Sequence, residues 1–293
     1  MDKLDKFTVD VPSRRHSRNL AVRVLRSPRT RIGMIMMGIV IAVAVVGPWF
    51  APHDPTAIIR APFAPPGGET PLGTDYLGHD VLSRFLFGGR NLIVMSICAA
   101  LIGTALGAAV GLFAAYTGSW GDMITMRIMD VFLSFPTVIF ALLFISMFGT
   151  SEVLLVSVVA IAHVPSAARV IRGSALGIVR SEYVLWARSV GLPTRKIVMG
   201  EILPNVVSPL MVEVGLRLMW SVGTFAALSF LGYGVQPPAS DWGLMINQNR
   251  SGLSVQAMSV IPPILAIAVF TIGGNLFAEG VARVVGRTEE RSA

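Results

Sequence analysis

The chain has 293 residues, of which 53% are hydrophobic and only 14% are charged, and its formal net charge is +7. Soluble domains carry about 25% charged residues, so this composition indicates a membrane protein. The single cysteine, Cys98, excludes an intrachain disulfide and a metal site built from several cysteines.

The N-terminal segment, residues 1–30, is polar and rich in arginine. Pro12 and Pro28 would interrupt any long helix within it. We expect a solvated tail beside the membrane, and the alternative is a helix that docks on a partner.

Six apolar segments follow that are long enough to cross a bilayer, for which roughly 20 helical residues are needed. They predict an all-α polytopic membrane protein with six transmembrane helices in one domain over residues 31–286, followed by a short tail at 287–293. The first segment is long and lacks a cleavage site, which favours a membrane anchor over a cleaved signal peptide. The predicted spans are 31–51, 90–117, 123–148, 152–173, 205–231 and 258–282.

The distribution of lysine and arginine predicts the orientation. With the N-terminus inside, 19 of the 24 basic residues fall on the cytoplasmic side and four on the outer side. Both termini and the segment 174–204 are then cytoplasmic, and the loop 51–89 is external. The positive charge follows from this topology and from attraction to anionic lipid, so nucleic-acid binding is not expected.

The external loop is rich in proline and predicts irregular turns, with a short helix near residues 80–87. Asp75, His79 and Asp80 lie close together there and are possible metal ligands. Turns and helix caps explain the two carboxylates more simply, and we favour that interpretation.

The second span carries Gly103, Gly107 and Gly111 at four-residue spacing. This places small residues on one helix face and predicts close packing against another helix. The partner helix could belong to the same bundle or to another subunit, and the stripe does not indicate a substrate site.

Ionisable residues at bilayer depth are costly and need an explanation. Glu213 and Arg217 are four residues apart in the fifth span, which predicts an ion pair. Lining of a translocation path and proton coupling are the alternatives. Asp130, with Arg127 near the inner end of the third span, is expected at the interface or between helices. His163 is expected to be a buried, hydrogen-bonded histidine rather than a ligand.

Between the fourth and fifth spans, a charged segment predicts two helices joined by a sharp turn. Ser181 suits an N-cap, and Glu182 follows it in the first helical turn. Gly191 suits the left-handed position just after a helix end. A second helix is expected from Thr194 to Pro204.

This segment resembles the EAA motif of ABC importer permeases, the loop that docks into the ATPase subunit. Trp186 stands where the motif has its first alanine, and the isoleucine falls one place late, at Ile202. The resemblance implies that the segment 174–204 is a coupling hairpin. Its implied coupling residues are Glu182, Tyr183, Ala187, Gly191, Leu203 and Pro204.

Other segments are similar to the C-type subunit of the dipeptide, oligopeptide and nickel permeases of binding-protein-dependent importers. These are residues 71–90, 115–136, 228–243 and 275–283, and with the hairpin they cover roughly residues 30–286. His79 stands where the family pattern has arginine. The resemblance implies a type I ABC importer permease fold in a bacterial cytoplasmic (inner) membrane.

The resemblance also implies the partners: a second, related permease chain in a heterodimer, two cytoplasmic ABC ATPases and an extracytoplasmic binding protein. This chain is then not an enzyme and binds no cofactor or metal itself, and ATP and magnesium are used by the partner ATPases. The sequence agrees, since it has no phosphate-binding loop and its only lysines are Lys3, Lys6 and Lys196.

The solute is expected to be a di- or oligopeptide, and nickel chelates, opines or another small solute are alternatives. In a different class, the chain would be an ion-coupled secondary carrier that uses Asp130, Glu213 and Arg217. Carriers often contain internal repeats, and no convincing repeat is visible. No constellation typical of a membrane enzyme is present either.

Overall fold

The computed structural model describes residues 27–289, and within them the chain is helical, with isolated bridges but no strand. Most of the predicted N-terminal tail and the last residues of the C-terminal tail lie outside this range. The helices are α1 (Pro28–Val46), α2 (Val81–Thr117), α3 (Ser119–Leu133), α4 (Thr137–Phe148), α5 (Glu152–Val179), α6 (Glu182–Ser189), α7 (Thr194–Lys196), α8 (Leu203–Phe230), α9 (Trp242–Asn249) and α10 (Ile261–Glu289).

Five helical segments of the described residues are long and apolar enough to cross a membrane, and α3 with α4 forms a sixth span if the bent pair is counted as one. The first of them is α1 together with the 3₁₀ turn Gly47–Phe50. The predicted all-α architecture is therefore confirmed, while three of the predicted spans differ in their form.

The second span begins earlier than predicted, at Val81 instead of residue 90. The short helix expected near residues 80–87 is the first part of this 37-residue helix, which is about 55 Å long. Asp80 caps it, because its side chain accepts a hydrogen bond from the backbone N–H of Ser83 at 3.0 Å. The start was predicted too late because the charged residues Arg84 and Arg90 interrupt the apolar sequence there.

The third span was predicted as one helix and is broken. The axes of α3 and α4 meet at 80° across Ser134, Phe135 and Pro136. Proline disfavours the helical conformation of the residue before it, which explains a break at Phe135. We call residues 134–136 the elbow.

The helix predicted to stop at Pro204 continues. Three residues of α7 and a π-helical turn, Ile197–Ile202, lead directly into α8, so that Thr194–Phe230 forms one apolar helical segment. Pro204 is the second residue of α8 and follows the π-helical turn directly.

The centre of the bundle is the contact between α2 and α5, the most extensive between any two helices of residues 27–289. A β-carbon placed on Gly103 would lie 2.6 Å from the carbonyl oxygen of Ala160, and one on Gly107 would lie 2.5 Å from Cβ of Ala167. Gly111 meets the same helix further along. The predicted close packing of the glycine stripe is confirmed, and the partner helix belongs to the same chain.

The segment 51–80 folds onto the region between α8 and α10. The backbone N–H of Tyr76 donates to Asn249 at 3.0 Å, and the side-chain amide of Gln256 donates to the carbonyl of Ala64 at 3.0 Å. The indole N–H of Trp242, which is fully buried, donates to the carbonyl of Phe85. The segment 51–80, which leads from α1 to α2, and the segment 231–260, which leads from α8 to α10, therefore form one packed layer. This layer lies at the end of the bundle opposite the hairpin.

Candidate functional site

The hairpin has the turn that the sequence predicts. Gly191 has φ +75°, a conformation that glycine adopts at little cost. The backbone N–H of Leu192 then closes the end of α6 by donating to the carbonyl of Ala187 at 3.1 Å. Val184 and Ala187 are buried and pack in a cluster with Ile197, so the two arms of the hairpin share an apolar core.

The start of α6 differs in one detail from the prediction. Ser181 is at the N-cap position, but its hydroxyl makes no capping bond and donates to the carbonyl of Ile178 at 2.6 Å. Glu182 lies in the first turn, where its carboxylate is favourable near the positive end of the helix dipole. The N-cap was thus predicted at the right residue, with the wrong role for its side chain.

The hairpin exposes several large apolar side chains. Trp186 is 65% exposed, although it is the largest residue of α6. A segment that needed only to connect two spans would gain nothing from such a surface, and exposed apolar patches often mark protein contacts. The exposed members are Tyr183, Leu185, Trp186, Val190 and Leu192.

The hairpin is also fixed to the bundle. The guanidinium of Arg188 donates to the carbonyl of Tyr116 at 3.0 Å and lies over the Tyr116 ring, 4.1 Å from its centroid. Tyr116 is at the end of α2, so the contact joins the hairpin to the turn between α2 and α3. Leu203 packs on the same apolar cluster, and Asn205 donates to the Tyr183 hydroxyl at 3.3 Å.

An ion pair holds the start of α3. Asp122 accepts two hydrogen bonds from the guanidinium of Arg172 in α5, one of them at 2.5 Å. We call the residues from Tyr116 to Asp122 the corner. Sequence reasoning missed both corner contacts, because each joins residues far apart in the chain, and the only signal was a charged residue near a span end.

The predicted pair in α8 is present. Nε of Arg217 donates to a carboxylate oxygen of Glu213 at 2.7 Å, and Glu213 is 1% exposed. His163 is buried, and its Nε2 lies 2.8 Å from the hydroxyl of Ser221, as expected for a hydrogen-bonded histidine.

Asp130 does not belong to this group. It forms an ion pair with Arg169 of α5, so it lies between two helices, which is one of the two locations expected for it. The structure therefore brings Glu213, Arg217 and His163 together and leaves Asp130 outside their group.

A cavity of about 430 Å³ lies between the elbow, α5 and α8. Among residues 27–289, Arg217 and His163 are the only ionisable residues that line it, and Glu213 is not among the lining residues. Most of the wall is aromatic or aliphatic, with Phe132, Phe135, Phe140 and Trp220 as its largest side chains. The cavity thus combines one guanidinium with an apolar wall.

The cluster around Asp75 has structural partners. One oxygen of Asp75 lies 2.9 Å from Nδ1 of His79 and also accepts from Arg84, while Asp80 caps α2. Burial works to raise the pKa of Asp75, but the charge of Arg84 and the hydrogen bonds from His79 and Arg84 outweigh it and hold the pKa below its usual value. These contacts agree with the roles in turns and caps that we favoured.

Comparison with known proteins places this geometry in a family. Residues 107–290 match the family described as "Binding-protein-dependent transport system inner membrane component", and residues 20–66 match the "N-terminal TM domain of oligopeptide transport permease C". Two curated relatives are both named "Glutathione transport system permease protein GsiD". The one from Pectobacterium atrosepticum is 38% identical over 72% of this chain and 70% of its own length. The one from Escherichia coli O1:K1 is 33% identical over 83% and 81%.

The fold is also similar to a solved structure described as inward-facing conformations of the MetNI methionine ABC transporter. The TM-score is 0.50 and the identity is 19%, over 68% of this chain and 96% of the matched chain. At that identity the likeness supports the helical permease fold and nothing more. The family matches and the relatives show that this chain belongs to the inner-membrane permease components of binding-protein-dependent ABC importers, in their dipeptide and oligopeptide branch.

Proposed function

We propose that this chain forms half of the translocation path of an ATP-driven importer and receives the movement of an ATPase through the hairpin. The observation that carries the proposal is the exposed apolar surface around Trp186 on a hairpin that is itself bonded to the bundle. A partner that presses on this surface would therefore displace the end of α2 and the start of α8, to which the hairpin is joined. Both termini and the hairpin are then cytoplasmic, and the segment 51–89 faces outward.

The proposed assembly contains a second, related permease chain, two cytoplasmic ABC ATPases and an extracytoplasmic binding protein. ATP and magnesium are handled by the ATPases, and this chain contributes no catalytic residue. Glu182, Tyr183, Ala187 and Gly191 shape the surface that meets the ATPase. Leu203 and Pro204 continue the hairpin into α8.

The corner supplies a second route for the movement. Arg188 holds Tyr116 at the end of α2, and Asp122 at the start of α3 is held by Arg172. The other end of α3 leads into the elbow, which lines the cavity. A displacement of the hairpin would therefore reach the cavity through α3 as well as through α8.

The proposed solute is a di- or oligopeptide. The proposal is supported by the match to an oligopeptide permease domain and by relatives named for glutathione, which is itself a small peptide. Nickel chelates, opines and other small solutes remain alternatives within the same class of transporter.

Uptake into right-side-out vesicles that contain the complete transporter would test the function. We expect labelled dipeptide or glutathione to enter only with internal ATP and external binding protein, and an ionophore that collapses ion gradients should leave uptake unchanged. Uptake that follows the ion gradient and proceeds without ATP would overturn the proposal and indicate a secondary carrier.

A further inference from the structure

We infer that the cavity beside the elbow is a binding station for the carboxylate of the passing solute, with the guanidinium of Arg217 as its receptor. The inference rests on the proposed function, because it assumes that a solute traverses this side of the bundle. It adds the chemical class of the group that is bound and the residue that binds it.

The first argument is the number of free donors on Arg217. A guanidinium has five N–H donors. Among residues 27–289, the only acceptor for Arg217 is Glu213, which engages Nε. The terminal nitrogens form the fork that pairs with a carboxylate through two parallel hydrogen bonds, so an acceptor that enters the cavity finds these donors unused.

The second argument is the placement of the pair. The Glu213 side chain is only 2% exposed and does not line the cavity, whereas the Arg217 side chain is 15% exposed and does. Glu213 therefore holds the guanidinium from behind and offsets its charge. A partly neutralised cation binds an anion weakly enough to release it, which a transport path requires.

The third argument is the remaining lining. The cavity volume of about 430 Å³ is within the roughly 300–1,000 Å³ that is usual for small-molecule sites. Its aromatic wall suits an apolar body beside the charged group. Among residues 27–289, Arg217 is the only lysine or arginine on the wall, and the neighbouring His163 lies within hydrogen-bond distance of Ser221. The fitting ligand is an apolar carboxylate, such as the C-terminal residue of a peptide.

Chemical protection of Arg217 tests this inference without any transport. The transporter, purified through this chain and held in lipid nanodiscs without nucleotide, would be treated with phenylglyoxal, which modifies arginine. Mass spectrometry would follow Arg217 and, as an internal control, Arg172, whose Nε and one terminal nitrogen donate to Asp122. The protecting probe is N-acetyl-L-phenylalanine, and its amide is the matched neutral compound.

We expect saturating N-acetyl-L-phenylalanine to slow modification of Arg217 by about tenfold, because the bound carboxylate covers the terminal nitrogens of the guanidinium. The amide should have little effect, and Arg172 should react at the same rate throughout. Equal protection by acid and amide, or none by either, would overturn the inference.

A variant separates binding from structure. Glu213→Gln removes the competing carboxylate while it keeps the shape of the side chain, so the acid should protect Arg217 at about tenfold lower concentration. An unchanged protecting concentration would mean that the guanidinium does not face the solute. If the carboxylate does not protect Arg217 but ATP-driven uptake is observed, this inference is wrong and the proposed function is not affected. If the carboxylate protects Arg217 but ATP-driven uptake is absent, the proposed function is wrong instead.

Discussion

At the scale of single residues, the molecule places its ionisable groups in two kinds of environment. Asp75 and Asp122 each meet an arginine, and their charges are compensated. Asp241 caps α9 by accepting from the backbone N–H of Leu244 at 3.0 Å, but it is fully buried. Burial raises the pKa of Asp241 to about 6, and the capping bonds offset this only in part.

The raised pKa predicts an unusual pH dependence of stability. The folded state holds the Asp241 proton more tightly than the unfolded state, so its contribution is complete below pH 3.8 and is lost as the pH rises to about 6. The loss amounts to roughly 3 kcal/mol at about 1.4 kcal/mol per pKa unit. Asp241→Asn keeps the cap but cannot ionise.

The check is the thermal unfolding of purified protein in detergent at pH values from 4 to 7. We expect the stability of the variant relative to the wild type to rise across this window and then to level off. A stability difference that stays constant from pH 4 to pH 7 would contradict the raised pKa.

Gly191 illustrates what a local pattern can predict. Nothing lies within 4 Å of a β-carbon placed on this residue, so the need for glycine comes from its positive φ alone. Asparagine tolerates this conformation and β-branched residues do not. We expect Gly191→Val to reduce ATP-driven uptake severely at normal membrane abundance, while Gly191→Asn retains most of it. Wild-type uptake in the valine variant would show that the turn has no role in coupling.

At the scale of helices and turns, the corner connects the hairpin to the rest of the bundle. The bond between Asp122 and Arg172 joins α3 to α5 through two hydrogen bonds, and both side chains are partly shielded from solvent. Interactions of this kind contribute roughly 1–3 kcal/mol. The contact therefore couples the start of α3 to α5, so a displacement of the corner would be shared by both helices.

Exchange of the two charges tests this contact. Asp122→Arg and Arg172→Asp alone each place two like charges side by side, and both should lower the free energy of unfolding and the ATP-driven uptake. The double variant restores an opposite pair and should recover a large part of both. If the double variant loses as much as the sum of the two single variants, the residues do not act through each other.

The same elements show how far sequence reasoning extends. Apolar segments predicted the spans, and the residue pattern around Gly191 predicted the hairpin turn, because both depend on neighbours in the chain. The elbow was missed although Phe135 and Pro136 are visible in the sequence, since hydropathy carries no information on the angle between helices. The partners of Asp130 and Arg188 lie 39 and 72 residues away, so no local pattern contains them.

At the scale of the whole molecule, the chain has two specialised ends joined by the tight packing of α2 against α5. One end carries the hairpin and the corner, and the other carries the layer formed by segment 51–80 and α9. The cavity lies between α5, α8 and the elbow, where movement from the hairpin would arrive. This arrangement suits a translocation path that is opened and closed by a partner protein acting on the hairpin.

The most direct measurement is chemical crosslinking of a cysteine in the hairpin to an amine of the ATPase. In a Cys98→Ala background, which removes the only cysteine, Trp186→Cys places a thiol on the exposed surface of the hairpin. Ile58→Cys, at a residue that is 71% exposed in the segment 51–80, is the matched control. With a short thiol-to-amine crosslinker in membranes that hold the complete transporter, we expect an adduct with the ATPase from Trp186→Cys and none from Ile58→Cys. An ATPase adduct from Ile58→Cys, or none from Trp186→Cys in a transporter that is active and assembled, would contradict the account.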